Sequence, residues 1–288
     1  MRLLVFNPEN DMALADGSVG YTPPASIRRF RREHCMLPQK WAQAGDYVWD
    51  GVEALDGKHV TEVCPWGWSK AIVHELVKAG VERDVMPSDD WLDGVRQLSS
   101  RAFTVGVQQE LGLNVRLCKS WREVAEFSHG VSRCVMKSLW SCSGKGLMLA
   151  DKPNAQAWME RVVARDGAVA CEQWIGNKAF DFALEYTISA KGDANYDGLS
   201  VFRTAATGRY LHQLSGKDAE RRLLSVLSED KLSQLRTWWQ HRLEADDIRR
   251  FNYFGPMGID MLVTSDGEVC PCVELNWRMT MGHVVLCS

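Results

Sequence analysis

The chain has 288 residues, 45% of them hydrophobic, which is enough for a large core divided among two or three structural units. Its formal net charge of −3 gives no general attraction to nucleic acid or to an anionic membrane, so we expect neither as a partner. No stretch approaches the roughly 18 apolar residues of a spanning helix, the start is too short for a secretory signal, and nine scattered cysteines are typical of reduced thiols. We therefore expect a cytoplasmic protein.

The first third of the chain alternates predicted strands and helices. LLVF is a strand, followed by the polar loop NPENDMALADGS, a basic helix SIRRFRREH and a second strand KHVTEVC. The next helix, SKAIVHELVKAG, has Ser69 as its N-cap and Gly80 as its stop, and Pro87 begins another helical segment. This pattern predicts a small α/β domain with a parallel sheet over residues 1–100.

The pattern restarts at Arg101 and changes again near residue 172. The first part of this region predicts, in order, a helix RAFTVGVQQELGL, a strand NVRL, a helix capped by Ser120 and a strand RCVMKSL. The loop WSCSGKG and the strands LMLA and AVACEQWI follow. Long alternating strands follow, interrupted by a helical segment from about Lys217 to Arg250. We predict an α+β unit over residues 101–172 and a mainly antiparallel unit over residues 173–288.

The segment VMKSLWSCSGKGL places Lys137 on an apolar strand and Lys145 in the Ser/Gly loop that follows. Backbone N–H groups of such a loop can surround phosphate oxygens, and a neighbouring lysine neutralises their charge. The loop lacks the G-x-x-x-x-G-K-[ST] pattern of a Walker A motif. A hairpin turn with solvated lysines would have the same composition, so this segment alone leaves phosphate binding open.

A second polar group lies near the end of the chain, in GPMGIDMLVTSDGEVCPCVELNW, where Asp-Gly predicts a hairpin turn. Glu274, Asn276 and Arg278 are two residues apart, so on one strand they would share a face, with Asp260 on the neighbouring strand. Such oxygen ligands suit Mg²⁺ bound jointly with nucleotide phosphates. The alternative is a solvated surface hairpin, but unpaired carboxylates in apolar surroundings are costly, which favours a metal site.

The third segment is CEQWIGNKAFDFALEYTI, in which Glu172 ends a strand and Asp181 begins another. Its backbone could lie against an adenine edge while Asp181 accepts hydrogen bonds from ribose hydroxyls. On its own the segment is more simply a connection between two domains.

In this order the three segments resemble the ATP-grasp superfamily, which includes D-alanine–D-alanine ligase, glutathione synthetase and biotin carboxylase. The resemblance covers roughly residues 100 to 285, and the preceding unit is similar to the family's small Rossmann-like N-terminal domain. It implies phosphate contacts from Lys137, Ser141, Ser143, Gly144, Lys145 and Gly146. It implies adenine contacts from Glu172, Gln173, Trp174 and Ile175, and a ribose contact from Asp181. It also implies two Mg²⁺ ions held by Asp260, Glu274 and Asn276, with Arg278 just beyond them.

The chain departs from the family pattern at three places. Arg101 stands where a lysine commonly contacts phosphate, and its planar fork makes a different contact. The spacing from Ile175 to Asp181 is slightly longer than usual. Gly258 replaces an arginine, whose role Arg203 or Arg209 could take.

The resemblance implies an ATP- and Mg²⁺-dependent ligase that joins a small-molecule carboxylate to an amine through an acyl phosphate. Positioning and electrostatic stabilisation supply most of the catalysis in phosphoryl transfer. We expect Lys137 and Arg278 to be the catalytic residues, with Arg278 holding the acyl-phosphate oxygens. Because fold does not determine function, a small-molecule kinase or a nucleotide-binding module is the alternative.

Other residues lie in positions that would suit a substrate or a different chemistry. Asn7 to Asp11 follow the first strand, where ligands gather in open α/β sheets. Arg28, Arg29 or Arg32 could reach an anionic substrate, and Trp66 and Trp68 could form a pocket wall; solvated polar faces are the alternative for the arginines and the first loop. GWSKA resembles the G-x-S-x-G elbow of hydrolases, with Ser69 as nucleophile and His212 or His283 as base, but Ala71 replaces the last glycine. A helix cap is the simpler role for Ser69.

Overall fold

The computed structural model describes residues 1–141, 146–205, 207–214 and 217–287. These residues form three sheets, the first of which is parallel, as predicted, with strand order β2-β1-β3. Its strands are β1 (Arg2–Val5), β2 (Tyr47–Trp49) and β3 (Glu62–Pro65). The helices around it are α1 (Asn10–Asp16), α2 (Ala25–Glu33), α3 (Lys70–Lys78) and α4 (Asp89–Leu98), with 3₁₀ turns at Leu37–Lys40 and Arg83–Val85.

Two elements of this first unit differ from the prediction. The segment expected to be a polar loop contains helix α1, which ends at Gly17 in the left-handed conformation. A glycine at this position is the usual C-terminal stop of a helix, so the signal was present in the sequence. The short strand β2 was not predicted, because three residues carry too little alternation to identify a strand.

The second sheet is antiparallel, with strand order β4-β7-β5-β6. Its strands are β4 (Val115–Cys118), β5 (Cys134–Ser138), β6 (Leu147–Leu149) and β7 (Val169–Gln173). Three helices accompany it: α5 (Arg101–Glu110), α6 (Trp121–His129) and α7 (Ala155–Asp166). Cys134, Met136 and Cys171 belong to the core formed with α6 and α7. Because side chains alternate along a strand, Lys137 and Glu172 lie on the opposite face.

The third sheet is antiparallel throughout, with strand order β10-β9-β8-β11-β12. Its strands are β8 (Lys178–Ile188), β9 (Ala194–Thr204), β10 (Tyr210–Leu214), β11 (Gly255–Thr264) and β12 (Val269–Asn276). The predicted helical segment is three helices, α8 (Lys217–Leu224), α9 (Glu229–Leu243) and α10 (Asp246–Arg249). The largest core packs against this sheet around Phe182, Leu184, Trp239, Ile259 and Trp277.

The expected long strand at the end of the chain is shorter than predicted. β12 ends at Asn276, and a helix α11 (Met281–Leu286) with Thr280 as its N-cap follows. Arg278 therefore lies beyond the strand, and the prediction that strand periodicity places it with Glu274 and Asn276 was wrong. The apolar residues after Trp277 hid the helix, although a threonine cap preceded it.

The division into units 1–100, 101–172 and 173–288 stays a prediction. Apart from Gln173, each unit holds all residues of one sheet. Among the described residues, no helix combines the length and the apolar character that crossing a membrane requires.

Helix α11 is held against the third sheet by buried polar groups. Glu185 of β8 accepts hydrogen bonds from Ser200 (2.8 Å) and Thr280 (2.9 Å), and His283 Nδ1 lies 3.1 Å from its carboxylate. Burial alone would lower the pKa of His283. A hydrogen bond to Asp197, the charge of Glu185 and a backbone carbonyl outweigh that effect and raise this pKa above 6.5.

We expect His283→Gln to destabilise the protein more at about pH 6 than at about pH 9. A histidine whose pKa is raised on folding contributes stability below its unfolded pKa and loses that contribution as the pH rises through the folded value. The loss in unfolding free energy should therefore be larger at the lower pH. Thermal unfolding at both pH values measures it. The exposed His212 provides the control, since His212→Gln should have the same small effect at each pH. An equal effect of His283→Gln at both pH values would contradict the assignment.

Candidate active site

A cavity of about 790 Å³ lies between the polar faces of the second and third sheets. The second sheet contributes Lys137 and Glu172, and the third contributes Asp181, Asp260 and Glu274. Each sheet buries its apolar face against helices, so the opposite faces carry the polar side chains. The volume falls within the range of roughly 300 to 1,000 Å³ that small-molecule sites occupy. We call it the nucleotide cavity, after the ligand that the motifs predict.

The structure brings most of the predicted site residues to this one cavity. Those in its wall are Arg101, Lys137, Glu172, Gln173, Trp174, Ile175, Asp181, Asp260 and Glu274. Ser143, Gly144 and Lys145 lie outside the described residues. Ser141 and Gly146, at the two ends of that segment, lie close together, because a Cβ on Gly146 would come within 2.8 Å of Ser141 Cβ.

Lys137 and Glu172 form an ion pair of 2.6 Å, in which both side chains are largely buried. Lys137 lies on β5, and Glu172 on β7 is opposite Val135, so the two side chains are diagonal neighbours on one face. Lys137, which is predicted to bind phosphate, is therefore paired with Glu172, which is predicted to contact adenine. A phosphate group that binds Lys137 must therefore compete with Glu172.

Arg101 joins the second sheet to the third. It is the first residue of α5 and is 6% exposed, and its guanidinium donates to Ser138 O (2.8 Å) and Ser141 Oγ (2.7 Å). Its other terminal nitrogen donates to Glu274 Oε1 at 2.6 Å. The residue predicted to bind phosphate is thus paired with a residue predicted to bind metal.

Asp260 and Glu274 lie opposite each other on β11 and β12. Burial raises the pKa of Asp260 well above its usual range, and the charges of Glu274 and Glu185 raise it further. A hydrogen bond from Asn276 and the charge of Arg278 act in the other direction. Negative charge in excess at this place, on hard oxygen atoms, is what a divalent cation would neutralise. The residues therefore fit Mg²⁺.

Within the described part of the chain, no cluster of three or more histidine, cysteine, aspartate or glutamate side chains is arranged to hold a metal ion. The predicted set differs from such a cluster, because it has two carboxylates and the amide of Asn276. A metal ion here would complete its coordination with oxygen atoms from outside the protein, as Mg²⁺ commonly does with phosphates and water.

Arg278 lies beside the predicted metal ligands, although it is not on their strand. Its Nη2 donates to Asn276 Oδ1 (2.9 Å) and to Asp11 Oδ2 (2.9 Å), and its Nε donates to both carboxylate oxygens of Asp11 at 3.1 Å. Helix α1 is thus connected to the end of β12 through Asp11. Asn276, Arg278 and Asp11 form one hydrogen-bonded series.

Asp181 is placed to accept hydrogen bonds at the other end of the cavity. It lies in β8, three residues after the strand begins, and not at its first residue as predicted. Its Oδ2 accepts from Thr204 Oγ1 (2.8 Å) and is paired with Lys178 Nζ (2.7 Å). Arg203 and Arg209 are both exposed, and Arg203 lines the cavity.

Some residues of the site were not predicted. Lys178 and Gln108 line the nucleotide cavity, and Glu185 contributes to the charge around Asp260. Asp181 and Glu185 are four residues apart on β8, so strand alternation places both on the same face. That spacing was a usable signal for Glu185. Gln108 lies on helix α5, where strand alternation does not apply, so this kind of signal could not identify it.

The other candidates of the first unit have structural partners. Asn7 Nδ2 donates to Gly67 O (2.8 Å), and Glu9 pairs with Arg31 (2.7 Å), so this loop holds the unit together. Ser69 is the N-cap of α3, where its Oγ accepts from Ile72 N (3.4 Å), as the simpler prediction held. His283, a possible base in the hydrolase alternative, is paired with Glu185 instead. This pairing does not favour the hydrolase alternative.

Two further cavities adjoin the first unit. One of about 420 Å³ is lined by Glu9, Arg28 and Arg32 among others. The second, of about 830 Å³, includes Trp66 and Trp68 in its wall, so these tryptophans form a cavity as expected, but not the nucleotide cavity.

Comparison with known proteins gives one curated relative and several similar structures. The [butirosin acyl-carrier protein]–L-glutamate ligase of Niallia circulans is 22% identical over 229 residues, which cover 74% of this chain and 50% of that protein. The chain therefore spans about half the length of this relative. No protein-family model matches the chain.

The similar structures cover almost all of this chain. N5-carboxyaminoimidazole synthetase from Staphylococcus aureus, complexed with ADP, has a TM-score of 0.55 at 10% identity and covers 97% of this chain and 70% of that chain. The biotin carboxylase complex with β-γ-ATP from Campylobacter jejuni has a TM-score of 0.59 at 12% identity and covers 99% of this chain and 67% of that chain. The biotin carboxylase domain of 2-oxoglutarate carboxylase from Hydrogenobacter thermophilus, in complex with MgADP, has a TM-score of 0.50 at 13% identity. It covers 97% of this chain and 52% of that chain.

At such low identity these structures establish a shared fold. The predicted resemblance is confirmed at this level: the chain has the ATP-grasp fold, which it shares with biotin carboxylase.

Proposed function

We propose that the protein is an ATP- and Mg²⁺-dependent ligase that joins a small-molecule carboxylate to an amine. One observation carries the proposal: a single cavity holds two buried cations, Arg101 and Lys137, beside the carboxylates Asp260 and Glu274. This is the charge pattern that a nucleotide phosphate chain with Mg²⁺ requires. Similar proteins described as ligase, synthetase and carboxylase, some complexed with ADP, MgADP or β-γ-ATP, support it.

The proposed roles follow the positions of the residues in the cavity. Lys137 and Arg101 bind phosphate oxygens, and Asp181 binds the ribose. The end of β7 and the residues that follow it, Glu172, Gln173, Trp174 and Ile175, border the adenine. Asp260, Glu274 and Asn276 hold Mg²⁺, which, when bound, neutralises phosphate charge. Ser143, Gly144 and Lys145 remain predicted phosphate contacts.

Two ion pairs of the cavity, Lys137–Glu172 and Arg101–Glu274, would have to break when nucleotide binds. Phosphate oxygens would replace Glu172 as the partner of Lys137 and Glu274 as the partner of Arg101. Glu274 would then be released from Arg101 and become available to the metal. Phosphate and metal would therefore favour each other's binding through one exchange of partners.

Catalysis would rest on positioning and electrostatics. A carboxylate substrate would accept the γ-phosphoryl group as an acyl phosphate, and the amine would displace phosphate to form an amide. Arg278, which is held by Asp11 beside Asn276, would bind acyl-phosphate oxygens. Lys137 would stabilise the charge of the transferred group.

Nucleotide with Mg²⁺ should stabilise the protein against heat. At a ligand concentration about 100 times the Kd, mass action adds about 2.7 kcal/mol to the unfolding free energy. Lys137→Ala should abolish most of this shift, because it removes the main phosphate contact. The exposed Lys152 serves as a matched control, since Lys152→Ala should retain the shift. The proposal fails if saturating ATP analogue with Mg²⁺ leaves the wild-type melting temperature unchanged.

The reaction itself is tested by ADP release across pairs of carboxylates and amines. Glu274→Gln should reduce the rate by about 100-fold or more, because it removes a carboxylate that would hold the Mg²⁺ ion that neutralises phosphate charge. Ser69→Ala should keep most of the activity, since Ser69 caps a helix. The opposite result would identify a hydrolase. A stable phosphorylated product, without free phosphate and amide, would identify a kinase.

Arg101→Gln should strengthen the binding of metal alone. In the wild type Glu274 is already paired with Arg101, so a cation without nucleotide must break that pair. Removing the arginine should raise the affinity for Mn²⁺ about fivefold, which corresponds to about 1 kcal/mol, and electron paramagnetic resonance of free Mn²⁺ measures this. Arg203→Gln removes a charge from the same cavity without releasing Glu274, so its effect should be smaller. Unchanged Mn²⁺ affinity in Arg101→Gln would contradict the exchange of partners.

A further inference from the structure

We propose that the carboxylate substrate has an apolar body, aromatic or branched alkyl, which lies in the cavity of about 830 Å³ beside Arg278. This inference rests on the proposed function and specifies its substrate class. We call this space the tryptophan cavity. Its walls include the aromatic and thioether side chains of Trp66, Trp68, Tyr253, Trp277 and Met279.

The tryptophan cavity lies between two parts of the chain. On one side are β3 and the residues after it, and on the other are residues 253–256 and 277–279. Two of its aromatic side chains are fixed against each other, because the rings of Tyr253 and Trp277 meet edge to face at 5.0 Å. Trp68 is held in the same way by Trp91, at 6.3 Å. A rigid aromatic wall of this kind binds flat or branched apolar groups without the entropy cost of ordering itself.

A series of hydrogen bonds links the walls of the two cavities. Asp260, in the wall of the nucleotide cavity, is bonded to Asn276, and Asn276 Oδ1 accepts from Arg278 Nη2 at 2.9 Å. Arg278 is in the wall of the tryptophan cavity. The bidentate contact with Asp11 fixes the guanidinium in this series.

This connection determines where the substrate can extend. Phosphoryl transfer requires the attacking carboxylate to lie in line with the phosphate, which the metal ligands place near Asp260 and Glu274. The carboxylate must therefore lie near Asn276 and Arg278. The space that continues from Arg278 is the tryptophan cavity, so the rest of the acid extends into it.

The composition of the wall selects the chemical class. Burying a charged or strongly polar body against tryptophan rings without partners costs free energy, whereas an apolar body gains it. Besides Arg278, the charged or ionisable residues of the wall either are exposed to solvent or have a partner: Glu62, Asp84 and Asp197 are exposed, the half-buried Arg2 pairs with Asp46, and the buried His283 pairs with Glu185. The interior therefore favours an acid whose only charge is its carboxylate.

Isothermal titration calorimetry of the full chain, saturated with ADP and Mg²⁺, tests the proposal with four acids. The probes are 3-phenylpropanoate, 4-methylpentanoate, propanoate and succinate. The first two should bind at least tenfold more tightly than the last two. Trp68→Ala should weaken 3-phenylpropanoate binding about tenfold, and Trp68→Phe should restore most of it. Trp158, a half-buried tryptophan of α7 in another core, provides the control, since Trp158→Ala should bind the probe as the wild type does.

The outcomes separate this inference from the proposed function. If neither apolar acid binds more tightly than propanoate and succinate, or if Trp68→Ala binds 3-phenylpropanoate as the wild type does, the inference is overturned. A nucleotide-induced heat shift in the same samples would show that the proposed function still stands. Where Trp68→Ala does not fold, Met279→Ala is expected to weaken 3-phenylpropanoate binding severalfold, and an unchanged affinity would overturn the inference equally. Absence of any nucleotide shift would overturn the proposed function itself.

Discussion

Asp260 and Glu274 face each other across adjacent strands, and two carboxylates so placed repel each other. The structure compensates this repulsion from two directions. Arg101 reaches Glu274 from the start of α5, and Asn276 bonds to Asp260 while accepting from Arg278. Because Arg278 also pairs with Asp11, these contacts connect three otherwise separate parts of the chain, namely helix α5, strand β12 and helix α1. The arrangement of the polar cavity depends on this compensation.

The cavity itself arises from the two-residue period of the strands. Met136 and Cys171 pack into one core and Ile259 and Leu275 into another, so the alternate residues of each sheet point away from both cores. Polar side chains on a concave surface keep their hydration only if water or a ligand fills the space between the sheets. The polar site therefore consists of residues on the faces opposite the two cores.

Much of the site could be predicted because strand periodicity is local. Lys137, Asp260, Glu274 and Asn276 each stand in a strand whose neighbours show its period, and the order of the segments matched a known fold. The contact between Arg101 and Glu274 joins residues 173 positions apart, and no local pattern encodes it. Arg278 was placed on the wrong kind of element, because its distance of two residues from Asn276 suggested continued strand where the chain turns into α11. Its proximity to Asn276 arises from the length of the arginine side chain and its pairing with Asp11.

The carboxylate of Glu185 occupies the space beside two glycines. A Cβ at Gly258 would lie 2.6 Å from one of its oxygens, and a Cβ at Gly282 would lie 1.8 Å from the other. Neither glycine can gain a side chain while Glu185 remains in place, and an arginine at position 258 would collide with it. Positions 185, 258 and 282 therefore constrain one another: a chain with an arginine at position 258 must lose the buried glutamate, and the C-terminal helix must then be held by other contacts.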